Sequence, residues 1–345
     1  MKNNLNKILI TGSEGYIGTV MADYLINQGY EVSGLDAGFY SGEELYKDYK
    51  KPTTVLKKDV RMVTHGDLLG FDAVIHLAEL SNDPLGELNT DATMNISHRG
   101  TVHLAQTAKE AGVKRFIYSS SCSVYGFNDV TVNEESEVNP LTTYAKIKVM
   151  NENKLKEMAD ENFCPVIFRN ATVYGPSPSM RFDLVINNLV GLACAEKSIV
   201  LNSNGMAWRP FLHVADLARI ADMVLKSVTE KVFCQTFNTG RNDLNFRIHD
   251  IAEIIKELIP DCDIVVNENN PDHRSYKADF TKVMKAFPEF EKQKDMRVAI
   301  KEMAELFTDI KLSSDKIKSG NFVRLWQINN LKNQGLIDNN YFWIK

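Results

Sequence analysis

The chain has 345 residues, of which 44% are hydrophobic and 25% are charged, and its formal net charge is −5. This is the composition of an ordinary globular protein, long enough for one large domain or two fused ones. The negative charge and the lack of a long basic run argue against a nucleic acid partner. No apolar run approaches the roughly 20 residues needed to cross a bilayer, so we expect no membrane association.

The cysteines show neither a C-x-x-C pair nor a regular spacing. We expect them to be reduced and mostly buried, as in a cytoplasmic protein, and we expect no metal site. The N-terminal residues lead directly into a predicted strand and leave no room for a signal peptide.

Short apolar runs alternate with helical patterns over the first half of the chain. Strands are predicted at 7–11, 31–36, 53–57, 73–78, 115–120 and 165–169. Helices are predicted from the end of the glycine-rich turn that follows the first strand to about 28, and at 100–110. Continuous apolar strands that alternate with helices indicate a parallel sheet covered on both faces. We therefore predict an α/β fold, a Rossmann-type doubly wound parallel sheet with a smaller C-terminal α+β substrate-binding subdomain.

The alternation weakens after Gly175, where prolines interrupt the chain. Further helices are predicted near 216–226, 248–259 and 297–308, and a strand that returns to the sheet near 236–239. The expected division is a dinucleotide-binding domain over 1–175, with a return near 213–240, and a substrate-binding subdomain over 176–212 and 241–345. The aromatic-rich stretch 321–345 is expected to dock onto the body of the protein or onto a partner chain.

A glycine-rich turn, TGSEGYIG over 11–18, follows the first strand and opens the first helix. Gly12 permits the tight turn, Gly15 lets the backbone approach a pyrophosphate, and Gly18 lets the helix pack closely. The start of the helix supplies free N–H groups and partial positive charge to the phosphates. The segment predicts a dinucleotide site that also includes Glu14, Tyr16 and Ile17.

Aspartates follow the next two predicted strands. Asp36 ends the second strand, where a carboxylate accepts hydrogen bonds from both ribose hydroxyls and repels a 2′-phosphate. We therefore predict NAD rather than NADP as the cofactor. Asp59, after the third strand, either holds the adenine amino group or is a solvated loop residue, and its neighbour Val60 is expected to line the same site.

A tyrosine and a lysine lie four residues apart in the sequence TYAKIK. On a helix Tyr144 and Lys148 share one face, and the ammonium is expected to lower the tyrosine pKa from its ordinary value of about 10. Ser121 leaves the carboxyl end of the fifth strand, where doubly wound sheets bind their ligands. Its hydroxyl can bind a substrate oxygen and share a proton with Tyr144, although a serine-rich polar loop is the alternative interpretation.

These motifs, in this order, resemble the extended short-chain dehydrogenase/reductases, specifically the nucleotide-sugar epimerase and dehydratase group. The similarity covers most of the chain, at 11–18, 76–78, 100–101, 111–116, 119–126, 144–148, 169–176 and 209–216. The resemblance implies that Tyr144 is the acid/base, that Lys148 depresses its pKa and holds the nicotinamide ribose, and that Ser121 binds the reacting sugar oxygen. It also implies a homodimer formed by the helices near 100–110 and 144.

The same resemblance assigns further contacts. Leu77 and Ala78 would pass over the nicotinamide half of the cofactor, and Ser119 is expected to line it. Arg209 matches an arginine that pairs with the nucleotide diphosphate, a task suited to its planar fork of donors. Two other residues of that signature are interpreted as structural: His213 and Asp216.

The chain also departs from the pattern of the group. Cys122 and Ser123, expected near the substrate, replace the Asp-Glu pair that dehydratases use, so elimination of water lacks its acid and base. Thr172 stands where asparagine is usual, and Asn170 could replace that contact.

Two charged residues leave alternatives open. Glu79 stands where a small residue is usual and either contacts substrate or points to solvent. Arg274 either serves the diphosphate from a shifted loop or is a surface arginine.

We predict an NAD-dependent nucleotide-sugar epimerase that acts by transient hydride transfer at a sugar carbon. The alternative is an NAD(P)-dependent nucleotide-(4-keto)sugar reductase or dehydrogenase. A non-catalytic dinucleotide-binding regulator is disfavoured because Tyr144, Lys148 and Ser121 are all present.

Overall fold

The computed structural model describes residues 5–81, 83–267 and 275–344. The strands are, in chain order, β1 Lys7–Thr11, β2 Glu31–Asp36, β3 Thr54–Lys57, β4 Ala73–His76, β5 Arg115–Ser121, β6 Thr131–Val132, β7 Cys164–Asn170, β8 Thr172–Tyr174, β9 Ser198–Leu201, β10 Trp208–His213, β11 Thr236–Thr239, β12 Asn245–Arg247, β13 Asp263–Val266 and β14 Lys277–Ala278. A seven-stranded parallel sheet runs in the order β3-β2-β1-β4-β5-β7-β11.

The helices are α1 Tyr16–Asn27, α2 His65–Leu68, α3 Asp83–Leu88, α4 Thr90–Thr93, α5 Gly100–Glu110, α6 Thr143–Met158, α7 Val185–Glu196, α8 Val214–Lys226, α9 Thr229–Val232, α10 Ile248–Leu258, α11 Thr281–Ala286, α12 Met296–Asp309, α13 Ser314–Ile317 and α14 Arg324–Asn333. Along β1, Ile8 and Ile10 pack toward the apolar side chains of α1 and α8, and Leu9 packs toward those of α5 and α6. Both faces of the sheet are therefore buried, which is why its strands have continuous apolar sequences. The predicted Rossmann-type fold is confirmed.

A second layer packs beside the sheet around its own apolar core. Helices α7, α10 and α12 supply the centre of that core, including Ile186, Val190, Ile251, Ile255, Ile300 and Met303. The parallel pair β9–β13 and the three-stranded sheet β12-β10-β8 belong to this side of the molecule. This layer faces the carboxyl ends of the main strands.

The C-terminal segment differs from the expected division, which grouped 241–345 with the substrate-binding layer. Four apolar residues of its last part, Ile328, Leu331, Ile337 and Tyr341, share a core with Leu9 and Leu35 of the main sheet and with Phe39, Val60 and Leu80 of the loops beyond it. Burial of those side chains holds 324–344 on the first layer, so the segment docks onto the body of the protein.

Within the residues that the structure describes, no helix is both long and apolar enough to cross a membrane. Each of the cysteines is a free thiol, and three are buried: Cys122, Cys164 and Cys262.

We expect Phe322→Ala to lower the free energy of unfolding by about 3–5 kcal/mol, measured by urea denaturation. The ring is fully buried in the second core, and its centroid lies 5.9 Å from that of Phe182. Leu336→Ala is the control from the same segment, because Leu336 is 41% exposed. Its effect should stay within about 0.5 kcal/mol. Equal effects of the two variants would contradict the packing described for Phe322.

Candidate active site

A cleft of about 790 Å³ lies where the strands of the main sheet end. That volume is in the usual range for ligand sites, and the carboxyl edge of a doubly wound sheet is where such sites form. One wall comes from the sheet and its loops and includes Gly12, Asp36, Leu77, Ser121 and Asn170. The rest of the lining comes from the second layer and from the C-terminal segment and includes Arg181, Asp183, Asn188, Arg209, Val323 and Trp326.

The glycine turn brings α1 into direct contact with the backbone of the turn itself. A Cβ atom on Gly18 would lie 2.1 Å from the carbonyl oxygen of Gly12, so only glycine fits there. Gly12 has φ +73°, and a Cβ on it would lie 2.9 Å from the amide nitrogen of Ala78. The helix starts after Gly15, which has no side chain to cap the first N–H groups. Those N–H groups therefore face the cleft as an anion site.

Asp36 is oriented by two backbone donors. Its carboxylate accepts from Glu14 N at 2.9 Å and from Gly38 N at 2.8 Å. Burial raises the pKa of Asp36, and these two N–H groups oppose that shift. The Glu14 side chain pairs with Lys57.

The other predicted contacts of the cofactor half are fixed by neighbouring groups. The Asp59 carboxylate is held by the Arg61 guanidinium, at 2.9 and 2.6 Å. The Tyr16 hydroxyl donates to the carbonyl of Gly175 at 2.8 Å and thereby ties α1 to the turn after β8. Ile17, Val60 and Ala78 also line the cleft.

Tyr144 lies in the first turn of α6. Thr142 caps this helix by accepting from Ala145 N at 3.2 Å. Ser121, at the end of β5, forms a side-chain hydrogen bond with Tyr144 and also accepts from Ser123 N at 3.1 Å. The phenol and the serine hydroxyl thus meet at one point of the cleft, as the sequence predicted from their order and spacing.

Lys148 and Glu79 form a buried ion pair, with side chains 5% and 4% exposed. The Lys148 ammonium also donates to the carbonyl of Ser119 and lies 5.3 Å from the ring centroid of Tyr144. Of the two roles left open for Glu79, substrate contact or solvent exposure, the second is excluded because the side chain is buried. Glu79 lines the cleft, and its carboxylate accepts one hydrogen bond from the Lys148 ammonium.

The pKa of Tyr144 is raised, whereas the sequence predicted that the neighbouring ammonium lowers it. Burial raises the pKa of Tyr144 above its ordinary value, and Lys148 opposes that shift, as expected from the sequence. Glu79 and Asp83 then act in the same direction as burial, so the pKa remains raised. The spacing of Tyr144 and Lys148 could not show that a carboxylate from the loop after β4 lies beside the ammonium.

A second buried ion pair holds α6 to the sheet. Glu152, one turn beyond Lys148, pairs with Arg169 of β7 at 2.7 Å and accepts from Ser120 of β5 at 2.6 Å. The Arg169 guanidinium also donates to the Tyr125 hydroxyl at 3.0 Å. These contacts fix the helix that carries Tyr144 above β5 and β7.

Several of the residues predicted to bind substrate line the cleft, but not all of them have side chains available there. Ser123, Thr172 and Arg209 line the cleft, and the Ser123 hydroxyl is buried with no hydrogen-bond partner among the described residues. Asn170 also lines it, but its amide donates to Ser119 Oγ at 2.7 Å and accepts from Thr239 at 2.6 Å.

Cys122 is fully buried and donates to the carbonyl of Arg169, away from the cleft. Burial raises the pKa of its thiol, so it remains protonated at neutral pH. The Arg209 guanidinium donates to the carbonyl of Trp208 at 2.8 Å. Arg274 lies outside the described residues.

The signature residues His213 and Asp216 have structural contacts. His213 caps α8 by accepting from Ala215 N at 3.2 Å, and Asp216 accepts from Lys294 N at 2.9 Å.

Several charged residues near Tyr144 were not predicted from the sequence. Arg181 forms a bidentate pair with Asp183, at 2.9 Å for both contacts, and donates to Ser81 Oγ at 3.0 Å. Asp83 accepts from Thr142 Oγ1 at 2.5 Å. The only sequence signal was the Arg-Phe-Asp run at 181–183 after the proline-rich turn.

The C-terminal segment forms part of the cleft beside Asp36. The Trp343 indole donates to the carbonyl of Ala37 at 2.6 Å, and Gln327 donates to that of Phe39 at 3.0 Å. Arg324, Leu325 and Trp326 line the cleft itself. This contribution was missed because the segment is distant in sequence from Asp36.

The residues present fit a dinucleotide. The glycine turn leaves room for a pyrophosphate against the start of α1, and the Asp36 carboxylate faces the cleft beside it. Tyr144, Lys148 and Ser121 lie in the same cleft.

Comparison with known proteins also supports a dinucleotide site. Residues 8–240 match the model of the NAD dependent epimerase/dehydratase family. UDP-glucose 4-epimerase of Bacillus subtilis (strain 168) is 28% identical over 266 residues, which cover 68% of this chain and 76% of that protein. UDP-glucuronic acid decarboxylase 6 of Arabidopsis thaliana is 27% identical over 290 residues, which cover 80% and 81% respectively.

Among solved structures, UDP-glucuronic acid 4-epimerase from Bacillus cereus, in complex with UDP-glucuronic acid and NAD, is similar in fold. The TM-score is 0.75 at 21% identity, with 88% of this chain and 99% of that chain covered. The family match spans more than half of the present chain. The protein is therefore an NAD-dependent enzyme of the extended short-chain dehydrogenase/reductase type and belongs to the NAD-dependent epimerase/dehydratase family.

Proposed function

We propose that this protein is a nucleotide-sugar epimerase that inverts one hydroxyl-bearing carbon of its substrate. The observation that carries the proposal is the meeting of Tyr144 and Ser121 in the cleft that begins at the glycine turn. The positions that follow Ser121 hold a buried protonated thiol and a serine, which supply neither a general acid nor a general base for elimination of water.

In this mechanism the Tyr144 phenolate accepts the proton of the sugar hydroxyl while the hydrogen on the same carbon leaves as hydride. Bound NAD would supply a reversible hydride acceptor for that carbon, so that the inversion involves no net oxidation. Ser121 donates to the reacting oxygen and keeps it beside Tyr144. Tyr144 returns the proton to that oxygen when the opposite face of the carbon is reduced.

The glycine turn and Asp36 would hold the pyrophosphate and adenosine ribose of NAD. Lys148 would use its remaining N–H toward the nicotinamide ribose. Leu77 and Ala78 would lie along the nicotinamide half.

The substrate-binding layer is proposed to comprise 176–212 and 241–322, with a nucleotide diphosphate sugar as its ligand. Arg209 lines the cleft from that layer, and we propose that it binds the diphosphate. Ser123, with its buried hydroxyl, is proposed to bind a sugar hydroxyl.

Freshly purified protein should interconvert a UDP-sugar and its epimer without added cofactor. UDP-glucose, UDP-glucuronic acid and UDP-N-acetylglucosamine are the first substrates to test, with products identified by NMR. Stoichiometric consumption of added NADH would instead indicate a reductase, and carbon dioxide release from UDP-glucuronic acid would indicate a decarboxylase. Either result would contradict the proposed epimerase.

Tyr144→Phe should lower kcat by about 10²–10⁴-fold, because it removes the acid/base and leaves the ring in place. Bound NAD, measured in the supernatant of the denatured protein, should stay near the wild-type level. Tyr24→Phe, which changes a tyrosine outside the cleft lining, is the matched control and should keep wild-type kcat. Near-wild-type turnover by Tyr144→Phe would exclude the mechanism.

We also propose a cytoplasmic homodimer in which α5 and α6 of two subunits pack together. Met150 on α6 is 38% exposed and would be buried by such contact.

Light scattering should give twice the chain mass of 39.0 kDa. Met150→Lys should shift the mass toward the monomer, whereas Met62→Lys, at a 58% exposed position outside these helices, should not. A monomeric wild-type protein would contradict this assembly.

A further inference from the structure

Glu79 is the centre of a buried hydrogen-bond network beneath Tyr144. One carboxylate oxygen accepts from Tyr118 Oη at 2.9 Å, Asn151 Nδ2 at 3.0 Å and Thr101 Oγ1 at 3.1 Å. The other oxygen accepts from the Lys148 ammonium. The donors come from α5, β5 and α6, so one side chain joins three elements.

Lys148 has three N–H donors and no acceptor. Two of them are used by Glu79 and by the carbonyl of Ser119. One donor remains for the cleft, where the Tyr144 ring lies 5.3 Å away. The position of the ammonium is thus set by the carboxylate and the strand, before any ligand contacts it.

We propose that Glu79 is a positioning residue that holds the Lys148 ammonium in place and shares its charge, so that Tyr144 works beside a partly neutralised cation. This inference rests on the proposed acid/base role of Tyr144. It assigns to Glu79 a role in the reaction that acts through Lys148.

The charges around the pair support this assignment. Burial lowers the pKa of Lys148, but Glu79 and Tyr144 more than offset that effect, so the amine stays protonated. The other ionisable groups that act on Tyr144 or Lys148 are Asp83, Glu152 and Arg181. His76, which joins the network through Thr101 at 2.8 Å, is neutral because burial lowers its pKa to about 3.

Each of those other charges already has a partner at hydrogen-bond distance. Glu152 pairs with Arg169, Arg181 pairs with Asp183, and Asp83 accepts from Thr142. Glu79 is therefore the carboxylate that offsets the Lys148 charge directly. Removing its charge should leave the ammonium free to stabilise the phenolate.

Glu79→Gln tests this because glutamine can still accept from Lys148 through its carbonyl and donate to Tyr118, whose oxygen can accept. Loss of the negative charge favours the phenolate, so Tyr144 should ionise at lower pH. The acid limb of the kcat profile should therefore move down by about one pH unit, because one negative charge is removed from the surroundings of the phenolate. Glu79→Asp keeps the charge and should restore the wild-type profile.

Asp222→Asn is the matched control. Asp222 is also a buried carboxylate that accepts from a tyrosine, Tyr30 at 2.8 Å, and from a lysine, Lys226 at 2.7 Å, but it lies on α8, away from the cleft lining. Its replacement should lower the melting temperature without moving the pH profile. A shift as large as that of Glu79→Gln would show that general destabilisation, and not the Lys148 contact, moves the profile.

A second measurement needs no turnover. Tyrosinate absorbance of the NAD-bound protein is titrated with pH, and the signal of Tyr144 is isolated by subtracting the titration of the corresponding Tyr144→Phe protein. The Tyr144 signal should appear at lower pH in Glu79→Gln than in wild type. An unchanged ionisation pH would overturn the inference about Glu79, whereas failure of the epimerase assay alone would overturn only the proposed reaction.

Discussion

The active site depends on how α6 is held across the edge of the sheet. Two ion pairs do this from one face of the helix, Lys148 with Glu79 and Glu152 with Arg169, and all four side chains are buried. Buried ion pairs are weak sources of stability, because desolvation offsets most of their Coulomb attraction. Loss of either partner is costly, however, so these pairs fix the helix in one position. The orientation of Tyr144 toward Ser121 follows from that fixation.

The cleft exists because the apolar cores of the two layers meet without merging. Apolar cores cover both faces of the main sheet, another lies under α7, α10 and α12, and the strand ends open between the sheet and that second layer. Glycine is required at 18 because α1 packs against the turn and at 12 because the backbone of Ala78 lies beside it, and the same glycines leave space for a pyrophosphate. Fold and cofactor site thus share one steric constraint.

Much of the fold could be predicted from sequence. The bounds of β1, β2, β11 and α5 agree with prediction, because their apolar patterns end at glycines, aspartates or polar turns. The fourth strand ends at His76 rather than at 78, since the chain turns there to cover Gly12. That the last part of the C-terminal segment shares a core with the main sheet could not be predicted, because apolar density indicates burial but not the surface against which a segment packs.

The sequence by itself determined the parallel sheet, the dinucleotide turn and the pairing of Tyr144 with Lys148, because each depends on residues close together in the chain. Only the tertiary structure decided what surrounds them. Glu79 reaches Lys148 from the loop after β4, Arg181 and Asp183 enter from the second layer, and Trp343 contacts the loop after Asp36. Electrostatic effects act through space and not along the chain, so the direction of the Tyr144 pKa was set by the fold.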